Sequence, residues 1–130
     1  MFGNLLKKLA GKAGLDNIRM DLEQLKRSFP SDPVRSSKFI FSIQDEICFA
    51  IANEVSPQEV KNIIDLSCQN DDSGLQQILD RLLASNMAHR DGDQATARRF
   101  GQEVKYFFLS ATGVSLDFTQ RTFFQKRAGR

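Results

Sequence analysis

One histidine, His89, is the residue in this sequence best suited to proton transfer near neutral pH. Two carboxylates follow it closely, at Asp91 and Asp93, and either could orient the ring of a general base. A histidine at the end of a helix is also a common structural feature, because the helix dipole favours its charge there. We favour the structural interpretation, and a site assembled around His89 is the alternative.

The acidic residues do not follow the spacing of a metal site. Asp91 and Asp93 could begin a calcium loop, but the twelfth position, which requires a glutamate, is Gln102. His89 has no second histidine or cysteine pair with which to bind zinc. The sequence also lacks a phosphate-binding glycine loop and a nucleophile elbow. We therefore predict no catalytic residue, no metal and no small-molecule cofactor.

The two cysteines, Cys48 and Cys68, each lie among apolar neighbours in a predicted helix. We expect two buried, reduced thiols, since a disulfide would require an oxidising compartment. The first lysines lie inside the opening apolar stretch and not before it, which is unlike a secretory signal. No apolar run approaches the ~20 residues of a membrane span. These observations favour a cytoplasmic protein.

Charge is distributed unevenly along the chain. Residues 1–29 hold six basic and three acidic side chains, residues 30–92 hold five and ten, and residues 93–130 hold seven and three. The basic ends either pack on the acidic middle, of the same chain or a neighbour, or bind an anionic partner. The candidates for an anionic partner are Lys7, Lys8, Lys12, Arg98, Arg99, Arg121, Lys126, Arg127 and Arg130.

Apolar residues recur at helical spacing along most of the chain, which predicts an all-α fold, a compact bundle of five to six helices with short loops. Residues 1–14 form a basic amphipathic helix that we expect Gly14 to end. Its apolar face consists of Phe2, Leu5, Leu6, Leu9 and Ala13. A narrower stripe follows and stops at Pro30; its members are Leu15, Ile18, Leu22, Leu25 and Phe29.

The remaining helices have recognisable starts and ends. Asp32-Pro33 opens a helix that is apolar on most of its circumference from about residue 37 to residue 55, so we place it at the bundle centre. The capping box of Ser56-Pro57-Gln58-Glu59 opens the next one. In the last helix, which Asp93 begins and Gly113 ends, we expect Gly101 to allow a close helix contact.

Residues 1–130 are predicted to form a single helical domain. Its segment 114–130 has no clean helical or strand period, and it is flexible, ordered by a partner or folded back on the bundle. Apolar residues off the main stripes or within this basic tail are candidates for a partner surface; they are Phe49, Tyr106, Leu109, Phe118, Phe123 and Phe124.

The function that we favour from the sequence is a non-catalytic protein–protein interaction or assembly protein, with self-association as one form of it. The alternative is a helical protein that binds nucleic acid through its basic N- and C-terminal segments. The third hypothesis is a peripheral membrane protein that binds an anionic membrane surface through its N-terminal helix.

Overall fold

The computed structural model describes residues 2–117, with side chains from Gly3 onward, and this part of the chain forms an all-α bundle without a strand. The prediction of the fold class is confirmed. The five helices are α1 (Phe2–Ser28), α2 (Pro33–Ala52), α3 (Pro57–Ser67), α4 (Leu75–Arg90) and α5 (Gln94–Thr112).

The bundle is built from two antiparallel helix pairs, α1 with α2 and α4 with α5. Between α1 and α2, the hydroxyl of Ser36 donates to that of Ser28 over 3.2 Å. Between α4 and α5, the hydroxyl of Ser85 donates to the carbonyl oxygen of Ala97 over 2.8 Å. Helix α3 packs on α1 and α4 and therefore joins the two pairs.

A single apolar core holds the five helices together, and every helix contributes to it. The predicted stripe of α1 is buried, and the ring of Phe29 lies 6.1 Å from that of Phe108 on α5. The fully buried large side chains are Ile18, Leu22, Leu25, Ile40, Ile43, Ile47, Ile64, Leu75, Ile78, Leu79, Phe108 and Leu116. Because Leu116 belongs to this core, the chain beyond α5 packs on the bundle for at least its first few residues.

The predicted caps are present. Asp32 accepts a hydrogen bond from the backbone of Arg35, and Asp93 accepts one from the backbone of Thr96. Ser56 and Glu59 form the reciprocal capping box. Gly113 ends α5 with φ of 76°, a left-handed conformation that favours glycine.

The expectation that Gly14 ends the first helix is wrong, because α1 runs without a break from Phe2 to Ser28. The two glycines of this helix are close-contact positions. A Cβ on Gly11 would lie 2.7 Å from Cγ2 of Val55, and one on Gly14 would lie 3.3 Å from Cδ1 of Phe49. Each glycine lowers helix propensity by about 1 kcal/mol relative to alanine, and tight packing of α1 on α2 and the turn after it offsets that loss.

Gly101, in contrast, is not a close-contact position. We expected this glycine to allow a close helix contact, but a Cβ there would have no neighbour within 4 Å. A glycine in a helical sequence pattern does not show by itself whether another element approaches it, because the approach depends on how the helices pack.

Substituting each of two glycines with alanine should therefore change stability in opposite directions. Gly11→Ala should lower the free energy of unfolding by about 1–3 kcal/mol, since the added methyl overlaps Val55. Gly101→Ala should raise it by about 0.5–1 kcal/mol, since its site on α5 is open. Urea unfolding followed by circular dichroism measures both, and equal effects in the two variants would contradict this account of α1.

Candidate interaction surface

The first turns of α1 carry large apolar side chains in contact with solvent. Leu5, Leu6 and Leu9 are 53%, 53% and 57% exposed, and Ala13 is exposed as well. These four residues are called the outer stripe here. From Gly3 onward the first buried residue of the helix is Gly11, and the first fully buried apolar side chain is Ile18, so the helix begins outside the core and enters it gradually.

The outer stripe lies on the side of α1 that faces away from the bundle. At 3.6 residues per turn, its centre is about 170–180° around the helix from the buried residues Ile18, Leu22 and Leu25. Met20, which is 64% exposed, lies on the same outer side further along the helix. The described bundle therefore cannot cover the outer stripe without rotating α1 and exposing the core residues.

Phe49 lies at the edge of this surface. Its ring packs on the α1 backbone at Gly14, next to Ala13, and the residue stays 50% exposed. The structure thus places one of the predicted partner-binding residues beside the predicted amphipathic helix, a proximity that sequence spacing does not show.

The lysines of α1 occupy its flank. Nζ of Lys7 lies 3.6 Å from a carboxylate oxygen of Glu54, and both side chains are about half exposed. Lys8 and Lys12 line a groove that also contains Glu54 and Glu59. An exposed pair such as Lys7 with Glu54 contributes little to stability.

The candidates on α5 lie elsewhere. Tyr106 and Leu109 are 65% and 46% exposed, and the Tyr106 ring meets Phe107 edge-on at 5.4 Å. Arg99 lies 4.9 Å above the Phe100 ring and 4.0 Å from Glu103, while Arg98 lines a separate groove of about 320 Å³ with Lys105. The structure therefore does not bring the basic residues of α1 and α5 into one groove.

The remaining candidates belong to the tail and lie outside the described residues. They are the aromatic residues Phe118, Phe123 and Phe124 and the basic residues Arg121, Lys126, Arg127 and Arg130.

Within residues 2–117, the side chain that His89 contacts is an amide and not the carboxylate that a general base would use. Nδ1 of His89 lies 3.2 Å from the side-chain oxygen of Gln94. Asp91 pairs with Arg90, and Asp93 caps α5. In the described part of the chain, both carboxylates therefore have partners other than His89.

Cys48 lines the same groove as His89, a cavity of about 330 Å³ between α2 and α4. Its thiol donates to the side-chain oxygen of Asn86 over 2.7 Å, and burial raises the pKa of the Cys48 thiol. A raised pKa disfavours the thiolate that a nucleophilic cysteine requires. Both cysteines are free thiols. Cys68 is buried, as we predicted. Cys48 is exposed, so the prediction that it is buried is wrong.

Within residues 2–117, no group of three His, Cys, Asp or Glu side chains could hold a metal ion. The described helices also include none with both the length and the apolar content needed to cross a bilayer.

One carboxyl group between α1 and α2 has a strongly shifted pKa. Burial, and secondarily the hydrogen bond and negative charge of Asp21, raise the pKa of Glu46 to about 8. Its Oε1 atom is buried without a hydrogen-bond partner in the part of the chain that the structure describes. Because Glu46 lies in a helix contact and not in one of the grooves above, we interpret it as a structural feature of the α1–α2 contact.

Comparison of the chain with protein families, with curated proteins and with solved structures gives no match.

The raised pKa makes the stability of the bundle depend on pH. Folded Glu46 keeps its proton up to about pH 8, whereas the unfolded group loses it near 4.5, so its contribution to stability is full below 4.5 and is lost as pH rises towards 8. Glu46→Gln should therefore raise the free energy of unfolding at pH 8 by about 1 kcal/mol, a value reduced for solvent screening, and by much less at pH 4.5. Urea unfolding at both pH values checks this; an effect independent of pH would contradict it.

Proposed function

We propose that this protein is a non-catalytic interaction protein and that it attaches to its partner through the outer stripe of α1. One observation carries the proposal: Leu5, Leu6 and Leu9 are more than half exposed on the side of α1 opposite to its core residues. A contiguous apolar surface of this kind is typical of docking sites. The orientation of α1 supports the same interpretation, because the described bundle already buries the opposite side of this helix and cannot also bury the outer stripe.

An enzymatic function has less support from the geometry. The polar residues that could do chemistry already have structural partners: Asn86 bonds both Gln44 and Cys48, and Asp93 caps α5. His89 contacts a neutral amide instead of a carboxylate.

Nucleic-acid binding, our alternative hypothesis, also has less support within the described residues. Such binding depends on cations that neutralise successive phosphates. Here Lys7 pairs with Glu54, Arg99 lies beside Glu103, and the groove of Lys8 contains further carboxylates. These carboxylates would face the phosphate backbone and weaken its binding.

The proposal predicts that the outer stripe controls assembly of the protein in the cell. The full chain, tagged and expressed in its own cells, should leave the monomer fraction when the lysate is sedimented through a density gradient. Replacing Leu5, Leu6 and Leu9 together with serine should reduce the assembled fraction at least about tenfold, since each leucine loses its apolar burial. Stability should change little, because these side chains contact solvent in the free protein.

The matched control is the double variant Val34→Ser and Leu66→Ser, which removes apolar side chains that are 68% and 72% exposed on α2 and α3. This variant should sediment like the original chain. An equal distribution of the original chain and the outer-stripe variant would refute the proposed function.

A further inference from the structure

The segment that carries the outer stripe has charge of one sign only. Residues 2–15 contain Lys7, Lys8 and Lys12 but no aspartate or glutamate, and the first acidic residue of the chain is Asp16. The part of the outer stripe around Leu5, Leu6 and Leu9 is therefore flanked by positive charge alone along its own helix, which complements an anionic partner. Asp16, just beyond Ala13, pairs with Arg19 over 2.7 Å.

The lysines are arranged in order around the helix. Lys12 lies about 75° from the centre of the outer stripe and Lys8 about 115° from it, whereas Lys7 lies on the core side beside Glu54. A lysine at the edge of an apolar face can lay its methylene stem along that face and extend its ammonium group to the polar layer. Glu54 and Glu59 line the same groove as Lys8 and Lys12, and neither glutamate belongs to α1.

The geometry also fits a flat surface. The side chains from Gly3 to Leu9 are all exposed, and the second half of α1 packs on the bundle through the opposite side of the helix. An extended plane can therefore meet the outer stripe along about 12 Å of helix, the length from Leu5 to Ala13 at 1.5 Å per residue, while the core-facing side of α1 points away from it.

We propose that the outer stripe binds the surface of an anionic lipid bilayer, with the first turns of α1 lying in the interface plane. This inference rests on the proposed function and names its partner. Leu5, Leu6 and Leu9 enter the boundary between headgroups and acyl chains, while Lys8 and Lys12 meet the lipid phosphates. In this proposal the leucines provide most of the binding energy at the bilayer. The nearby carboxylates therefore weaken membrane binding less than they would weaken nucleic-acid binding.

A second copy of the chain is the competing occupant, and the charges argue against it. Pairing two outer stripes would bring Lys8 and Lys12 of both copies together, four lysines in all, and neither segment 2–15 supplies a carboxylate to neutralise them. Like charges brought together at an interface oppose association, whereas the same lysines strengthen binding to anionic lipid.

Flotation of the purified full chain with lipid vesicles tests the inference. The vesicles contain phosphatidylcholine alone or phosphatidylcholine with 40% phosphatidylserine. The chain should float with the anionic vesicles in 50 mM salt, at least about tenfold more than with the neutral ones, and much of this binding should be lost in 500 mM salt.

Two variants separate the apolar and the electrostatic contributions. Replacing Leu5, Leu6 and Leu9 with serine should abolish flotation. Lys8→Gln with Lys12→Gln should weaken binding to anionic vesicles roughly thirtyfold, at about fivefold per lysine. The matched control, Lys38→Gln with Lys105→Gln, removes the same charge from α2 and α5 and should bind like the original chain. Unchanged circular dichroism of each variant shows that the fold is intact.

Three results would overturn the inference: no flotation with anionic vesicles, equal flotation with neutral ones, or flotation of the serine variant. Sedimentation velocity of the purified chain provides a fourth such result: a concentration-dependent dimer that the serine variant loses would assign the stripe to a second copy.

If flotation fails while assembly in the lysate still depends on the stripe, the bilayer is rejected and the proposed function stands. Failure of both experiments rejects both proposals.

Discussion

The burial of one face of α1 determines which residues of this helix face solvent as well as which enter the core. Ile18, Leu22 and Leu25 have no exposed area, so the rotation of α1 about its own axis is set by its contact with the rest of the bundle. Along an unbroken helix the angle between successive side chains is constant. The same contact therefore sets the direction of side chains two to four turns earlier, and it turns the leucines there towards solvent. The exposure of Leu5 and Leu9 is therefore a consequence of core packing.

The continuity of α1 depends on its two close-contact glycines. Gly11 lies against Val55 and Gly14 against Ala50 and Phe49, so the helix passes the end of α2 without space for a side chain between them. If the helix broke at Gly14, the first turns could rotate and place their leucines on the bundle. The contact at these glycines thus holds the outer stripe away from the core.

Most polar side chains inside the bundle already serve the fold. Gln44 and Asn86 exchange amide hydrogen bonds between α2 and α4, and Ser28 and Ser36 bond each other between α1 and α2. Asp21 and Glu46 meet at a further point of the α1–α2 contact. With these groups engaged, the clearest unpartnered feature of the described residues is the apolar outer stripe, and our proposal of a docking function rests on it.

The all-α class, the caps at Asp32, Ser56 and Asp93, and the buried positions Ile18, Leu22 and Leu25 could be predicted from the amino-acid sequence, since helical periodicity and capping depend on residues close in the chain. Whether Gly14 ends a helix or admits a neighbour could not be predicted, because that depends on what approaches the glycine in space. The alignment of Met20 with Leu5 and Leu9 on one side depends on the same point, because residues before and after Gly14 share a helical wheel only if α1 is continuous. The partners of Phe49 and Glu46 also lie on another helix, beyond the reach of local spacing.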